Sequence, residues 1–253
     1  MTGLRSTALS VAMAAAMAAL TSTAWAADTL RIGTEGAYPP FNMVDENGNL
    51  HGFDIDVANA LCERMERDCA FVKQDWDGII PGLLAGKYDA IIASMSITEE
   101  RKKAVAFTEH YYTNKLQFVG AIGTEMDVSP EAMEGKTVGA QRATIAAQWL
   151  QENMPGADAK LYDTQENAYL DLESGRLDAV IADVLVNYEW LQSEAGEGYE
   201  FKGEPVFDND LIGIAIRQGE DDLVAAFNAA ITEIVEDGTY ATINAKYFPF
   251  SIY

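Results

Sequence analysis

Apolar spacing along the chain alternates between two periods. Short runs rich in branched and aromatic residues, such as "TLRIGTE" (29–35), "CAFVKQ" (69–74), "YDAIIAS" (88–94) and "LQFVGAI" (116–122), are bounded by Gly, Asp or Thr and predict strands. Between them, "FDIDVANALCERM" (53–65) gathers Ile55, Ala58, Leu61, Cys62 and Met65 on one helical face. "DGIIPGLLAG" (77–86) predicts a short helix stopped by Gly86, and "TEERKKAV" opens another with Thr98 as its N-cap. The pattern then restarts. Strands are expected at "KTVGAQ" (136–141), "AKLY" (159–162) and "LDAVIAD" (177–183). Helices are expected at 144–154, 166–175 and 184–192, with two more closing the chain over 221–238 and 239–248. Such alternation predicts an α/β protein with mostly parallel strands flanked by helices.

One stretch is echoed. "LLAGKYDAIIAS" (Leu83 to Ser94) and "LESGRLDAVIAD" (Leu172 to Asp183) share a leucine, a glycine three residues on, a basic residue, then Asp-Ala and an apolar run with a polar end. Two lobes, each with its own parallel sheet, would produce this repeat; a common helix-exit turn used twice would also do so. On the first reading Ser94 and Asp183 end equivalent strands, and Glu35 ends a third. Ligands of open parallel sheets bind beyond the carboxyl ends of the strands, so two acids and a serine would point toward one cleft.

Composition narrows the possibilities. Arg5, the apolar run 8–20 and the small residues of "AWA" (24–26) describe a secretory signal peptide covering residues 1–26, too short to span a bilayer. Forty acidic side chains against seventeen basic ones give a net charge of −23, which repels phosphate backbones and argues against nucleic-acid binding. The two cysteines, Cys62 and Cys69, form a close pair in an exported chain, and a disulfide pinning a helix to the following strand is expected.

Motifs for phosphate, serine-hydrolase, zinc or calcium chemistry are absent, and His51 and His110 lack partners, so no catalytic residue, metal or cofactor is proposed. Arg101 lies one turn into its helix beside a strand end. It can grip a carboxylate bidentately, helped by the N–H groups at the helix start, or simply pair with a neighbour on an exposed surface. The helix beginning near Thr144 offers a similar set of N–H groups. Tyr38, Phe41 and Trp76 follow strand ends; Phe41 reads as core, whereas Tyr38 and Trp76 fit equally as core plugs or as flat walls around a ligand.

The segments "IGTEGAYPPF", "GFDIDVANALCERM" and "DWDGIIPGLLAGKYDAIIASMSITEERKKAVAFT", with the cysteine pair and the "DGTYATINAKYF" ending, resemble the polar amino-acid branch of the periplasmic solute-binding proteins that serve ABC importers. The lysine/arginine/ornithine and opine binders are most similar. The resemblance implies a type II periplasmic-binding-protein fold of two lobes joined by two hinge strands, residues 27–113 with 213–253 forming one lobe and 114–212 the other. It implies a monomer in the periplasm that closes over a small cationic amino acid and docks on an inner-membrane ABC permease. Carried over by position, Arg101 takes the ligand α-carboxylate, assisted by Ser94, Ser96 and Thr144. Asp183 takes the α-ammonium, Tyr38 and Trp76 are stacking walls, and Glu35 faces the side-chain charge.

A charge count then favours a basic ligand. Arg101 and Asp183 cancel the ligand's own zwitterion, leaving Glu35, and a buried unpaired carboxylate is costly. Three positions depart from the family pattern: Ala93 where a serine is frequent, Glu35 where an aspartate is frequent, and Arg142-Ala143 in place of a glycine-containing loop. Arg142 is either a solvated loop residue or a partner for a second carboxylate, as in octopine-like ligands. Related scaffolds also include dehydratases, which would need a general acid, and a receptor-coupled sensor is a third class.

Overall fold

The computed structural model describes residues 29–253, so the expected signal peptide lies outside the described residues. The chain runs β1 (Leu30–Thr34), β2 (Ala37–Tyr38), β3 (Asn42–Val44), β4 (Leu50–His51), α1 (Phe53–Arg64), β5 (Cys69–Lys73), α2 (Ile79–Leu84) and β6 (Ala90–Ile91). It continues with α3 (Glu99–Lys102), β7 (Val105–Ala121), β8 (Thr137–Gln141), α4 (Ile145–Asn153), β9 (Asp158–Tyr162) and α5 (Gln165–Glu173). Then follow β10 (Ala179–Asp183), α6 (Val184–Leu191), β11 (Tyr199–Arg217), α7 (Asp221–Glu236) and α8 (Thr239–Tyr247).

Eight strands join in the order β5-β1-β6-β11-β7-β10-β8-β9. The outer strands on each side are parallel to their neighbours: β1 to β5 and β6, and β8 to β9 and β10. The middle is antiparallel and built by two long strands. β6 pairs with the end of β11 at Ala215 and Ile216, whereas β10 pairs with the far part of β7, from Leu116 to Gly120. Each half of the molecule therefore has its own parallel set, and β7 and β11 cross from one to the other. Their mutual register shifts between Lys202 and Phe207 and again on both sides of Gly213, as bulges do where a strand bends.

These long strands exceed what periodicity predicted. Only 116–122 of β7 carried a clear apolar run, because "AFTEHYYTNK" mixes polar and aromatic positions. No element was expected over 199–217, where Gly203, Pro205 and the acids of "FDND" break the alternation. Conversely, the strand expected over 88–94 is paired only at Ala90 and Ile91. Beyond them the chain turns, with Ser94 at φ 54°, a left-handed conformation that non-glycine residues seldom adopt. Ser94 thus lies three residues past its strand, whereas Asp183 is the last residue of β10. The small sheet β2-β3-β4 was also missed, its strands being only two or three residues long.

The echoed segments adopt one local structure twice. Gly86 and Gly175 both take left-handed conformations, φ 73° and 71°, and each donates its N–H to the leucine three residues earlier. The Asp that follows turns back on the adjacent parallel strand: Asp89 Oδ2 accepts from Arg31 N at 3.0 Å, and Asp178 Oδ2 from Thr137 N at 2.8 Å.

Burial follows the two faces of this sheet. Phe53 at the start of α1 sits edge-on against Phe41, Tyr112, Tyr240 and Tyr247 with centroid separations near 5.9 Å. That cluster continues into the second half through Tyr169, Leu172 and Leu185. Leu116, Phe118, Val138 and Leu150 fill the opposite face of the second half, and Ile79, Leu83, Tyr88 and Ile91 that of the first. Cys62 of α1 and Cys69 of β5 form the expected disulfide across Cα positions 6.0 Å apart. Among the described residues no helix is long and apolar enough to cross a membrane.

Candidate functional site

All eight residues singled out as ligand contacts line one cavity between the halves. Glu35, Tyr38, Trp76, Ser94, Ser96 and Arg101 come from the first; Thr144 and Asp183 come from the second, joined by Gln141 and Ile145. Ala93 is also in the wall.

Glu35 follows the last residue of β1. The next residue, Gly36, turns at φ 72° and donates its N–H to Asn42 Oδ1 at 2.8 Å, so the turn that aims the carboxylate is held from β3. Glu35 is 4% exposed, and among the described residues it forms no ion pair with lysine or arginine. Its partner is the Gln141 amide, whose Nε2 donates to Glu35 Oε1 at 2.6 Å and to the Asp163 carbonyl at 3.2 Å. Burial raises the Glu35 carboxyl to about 7, against the lowering effect of the Gln141 hydrogen bond; Asp75 and Asp77 add to the rise and Lys73 opposes it.

Asp183 is the N-cap of α6, yet its side chain makes no capping bond. The carboxylate is left for the cavity, where the Tyr38 hydroxyl lies against it. Burial and then the charge of Asp210 push Asp183 up to about 7. Asp210 was not foreseen. It lies on β11, buried, where Ser96 Oγ and Asn114 Nδ2 donate to its Oδ2 at 3.3 and 3.1 Å.

Arg101 carries the positive side of the site. Its Nη1 donates to the Ser96 carbonyl at 2.9 Å, its Nη2 to the Ala143 carbonyl at 3.2 Å, and its guanidinium carbon lies 5.3 Å from the Trp76 ring centroid. Burial lowers its pKa to about 10, opposed by Asp210 and Asp183, so it stays charged at neutral pH. Trp76 Nε1 donates to the same Ala143 carbonyl at 3.1 Å. Ala143 reaches this position with φ 59°, where glycine is usual.

The hydroxyls expected to assist are occupied elsewhere. Ser94 Oγ donates to the buried Asp54 at 3.1 Å, which also accepts from Tyr111 and Asn42. Ser96 donates to Asp210, and Thr144 donates to the Gln141 carbonyl while accepting from Ala147 N. Ser94 can therefore offer only lone pairs to the cavity, and α4 offers the first-turn N–H groups of Ile145 and Ala146, that of Ala147 being taken by Thr144. Arg142 does not line the cavity. It pairs with Asp163 and lies 3.9 Å from Asp77, and among the described residues Arg101 is the one lysine or arginine that lines the cavity.

Residues 30–250 match the model of the bacterial extracellular solute-binding proteins, family 3. The chain belongs to this family. A relative from Pseudomonas aeruginosa, the L-arginine-binding protein, is 41% identical over 249 residues, covering 95% of this chain and 96% of the relative. The lysine/arginine/ornithine-binding periplasmic protein of Escherichia coli is 37% identical over 233 residues, covering 89% and 90%. Among solved structures, an ancestral arginine-binding protein bound to arginine superposes with a TM-score of 0.83 at 39% identity, covering 87% of this chain and 98% of that one.

Proposed function

We propose that this solute-binding protein captures a basic amino acid, with arginine, ornithine and lysine as candidates, outside the cytoplasm, and delivers it to an ABC permease of the inner membrane. Two lobes, residues 27–113 with 213–253 and residues 114–212, close over the ligand by bending at the β7/β11 crossing. Arg101 and the first-turn N–H groups of α4 hold the α-carboxylate. Asp183 holds the α-ammonium, with Ser94 and Tyr38 presenting oxygen atoms beside it. Ser96 acts through its backbone, and Tyr38 and Trp76 flank the alkyl stem. Closure is favoured because the ligand touches both lobes; contact with one alone shifts nothing.

The observation that carries this reading is Glu35: an enclosed carboxylate that takes a hydrogen bond from an amide and, among the described residues, forms no ion pair with lysine or arginine. A guanidinium or ammonium on the ligand side chain supplies the missing charge. The relatives named above are binding proteins, and no residue of the cavity needs a chemical step to explain its placement. Titration calorimetry of the wild type and Glu35→Gln with arginine and with citrulline tests the assignment. Arginine is expected to lose at least tenfold more affinity than citrulline on substitution; equal losses would refute the cation pocket.

A further inference from the structure

Glu35 and Asp183 face the cavity and Asp54 is saturated by three donors in the core, which leaves one buried acid unused. Asp210 is 2% exposed, on β11 directly across from Asn114 of β7. Arg101 is the cation that faces it, yet that guanidinium spends Nη1 and Nη2 on carbonyl oxygens, and no ion pair to Asp210 forms among the described residues. Asn114 donates to Asp210 and also reaches Asp183, while its own Oδ1 is buried without a partner. Two buried carboxylates thus share the donor end of one amide. Like charges held this close resist ionising together, and a proton retained on either acid relieves the repulsion.

We propose that Asp183 and Asp210, joined through Asn114, hold one proton between them and that capture of the ligand's α-ammonium by Asp183 expels it, with Asp210 as the positioning residue for this exchange. The proposal rests on the capture reading above. One O–H bond breaks, its proton passes to solvent, and the ammonium N–H groups take its place against Asp183. The pair passes from one negative charge to two, and the bound ammonium restores the site to a single negative charge, which accounts for an acid that the count of Arg101, Asp183 and Glu35 left out.

Burial and like charge favour retention over the groups that oppose it. Burial raises both acids, and Asp210 raises Asp183 further, against Tyr38, Asn114, Ser96 and Arg101. Glu35, with Asp75, Asp77 and Lys73 around it, titrates in the same range and can release a proton of its own to solvent when a cationic side chain binds against it. The sign follows directly. Below about 7 the pair holds its proton, a bound ammonium lowers that value, and affinity rises with pH up to about 7 and then levels, by up to about tenfold per unit for each proton released.

The test is titration calorimetry with arginine at pH 6 in two buffers of different ionisation enthalpy, on the wild type and Asp210→Asn. Since Glu35 supplies at most one proton, the wild type is expected to release more than one per arginine bound, approaching about two. Asp210→Asn should release about one fewer, with its pH profile displaced to more acid values. A wild-type release of one proton or fewer overturns the proposal even if the variant fails to fold, as does an Asp210→Asn protein that releases as many as the wild type. Absence of binding heat with arginine, ornithine and lysine alike would instead overturn the capture reading, and this proposal with it.

Discussion

The two copies of the helix exit, Leu83–Ser94 and Leu172–Asp183, begin alike and end differently. Both turn at a left-handed glycine and both send an aspartate back to the N–H of a neighbouring parallel strand. After that, the first leaves the sheet at Ile91 and bends at Ser94, whereas the second stays paired to Asp183 and enters α6 at once. The first half thus forms a curved wall ending in Ser94, Ser96 and, one turn later, Arg101. The second delivers a lone carboxylate at the tip of a strand. One repeated turn thus leads to a guanidinium on one side of the cavity and a carboxylate on the other, the difference lying in a few residues after the strand.

The largest test of that division removes each grip. Arg101→Ala and Asp183→Ala should both lose about 3–5 kcal/mol, enough to abolish calorimetric binding; retained binding in Asp183→Ala would place the ammonium elsewhere. Next comes the acidity of the enclosed groups. Because Glu35 is raised above its ordinary value, it binds its proton more tightly in the folded protein, so the stability it allows is lost as pH rises from about 4.5 through about 7. Without ligand, thermal unfolding should show Glu35→Gln gaining on the wild type over that interval, by on the order of 3 kcal/mol at pH 8. A constant difference would mean that Glu35 is not desolvated. Trp76→Phe keeps a ring but deletes the donor to Ala143; an affinity loss of about 3–10-fold is expected by calorimetry. The smallest effect compares the shared turn. Gly86→Ala and Gly175→Ala, with open space at both positions, should each lower stability by about 1 kcal/mol and shift Tm by about 2–4 °C. Unequal shifts would show that the two exits are not energetically equivalent.

Much of this was legible in the chain wherever one rule acted alone. Thr98 caps α3 by accepting from Arg101 N, Gly86 stops α2, and the apolar face of α1 is buried as spaced. Strand-end polar residues led to Glu35 and Asp183, and the same rule applied to "KTVGAQ" would have singled out Gln141. Asp210 gave no such signal, because β11 is held by pairing along β7 rather than by an apolar rhythm of its own. The roles of the hydroxyls were hidden for a similar reason. Ser94, Ser96 and Thr144 look like donors in sequence, but Asp54, Asp210 and the Gln141 carbonyl, remote in the chain except for the last, claim those protons first.

The Ala143 carbonyl has a consequence for how solute leaves. It is a single oxygen on one half that receives both Trp76 and Arg101 from the other. On the capture reading proposed above, parting the halves would break both of these bonds, together with the one from Gln141 to Glu35. Replacing Ala143 by glycine, which frees this φ 59° turn, should speed exchange while leaving the side chains that line the cavity in place.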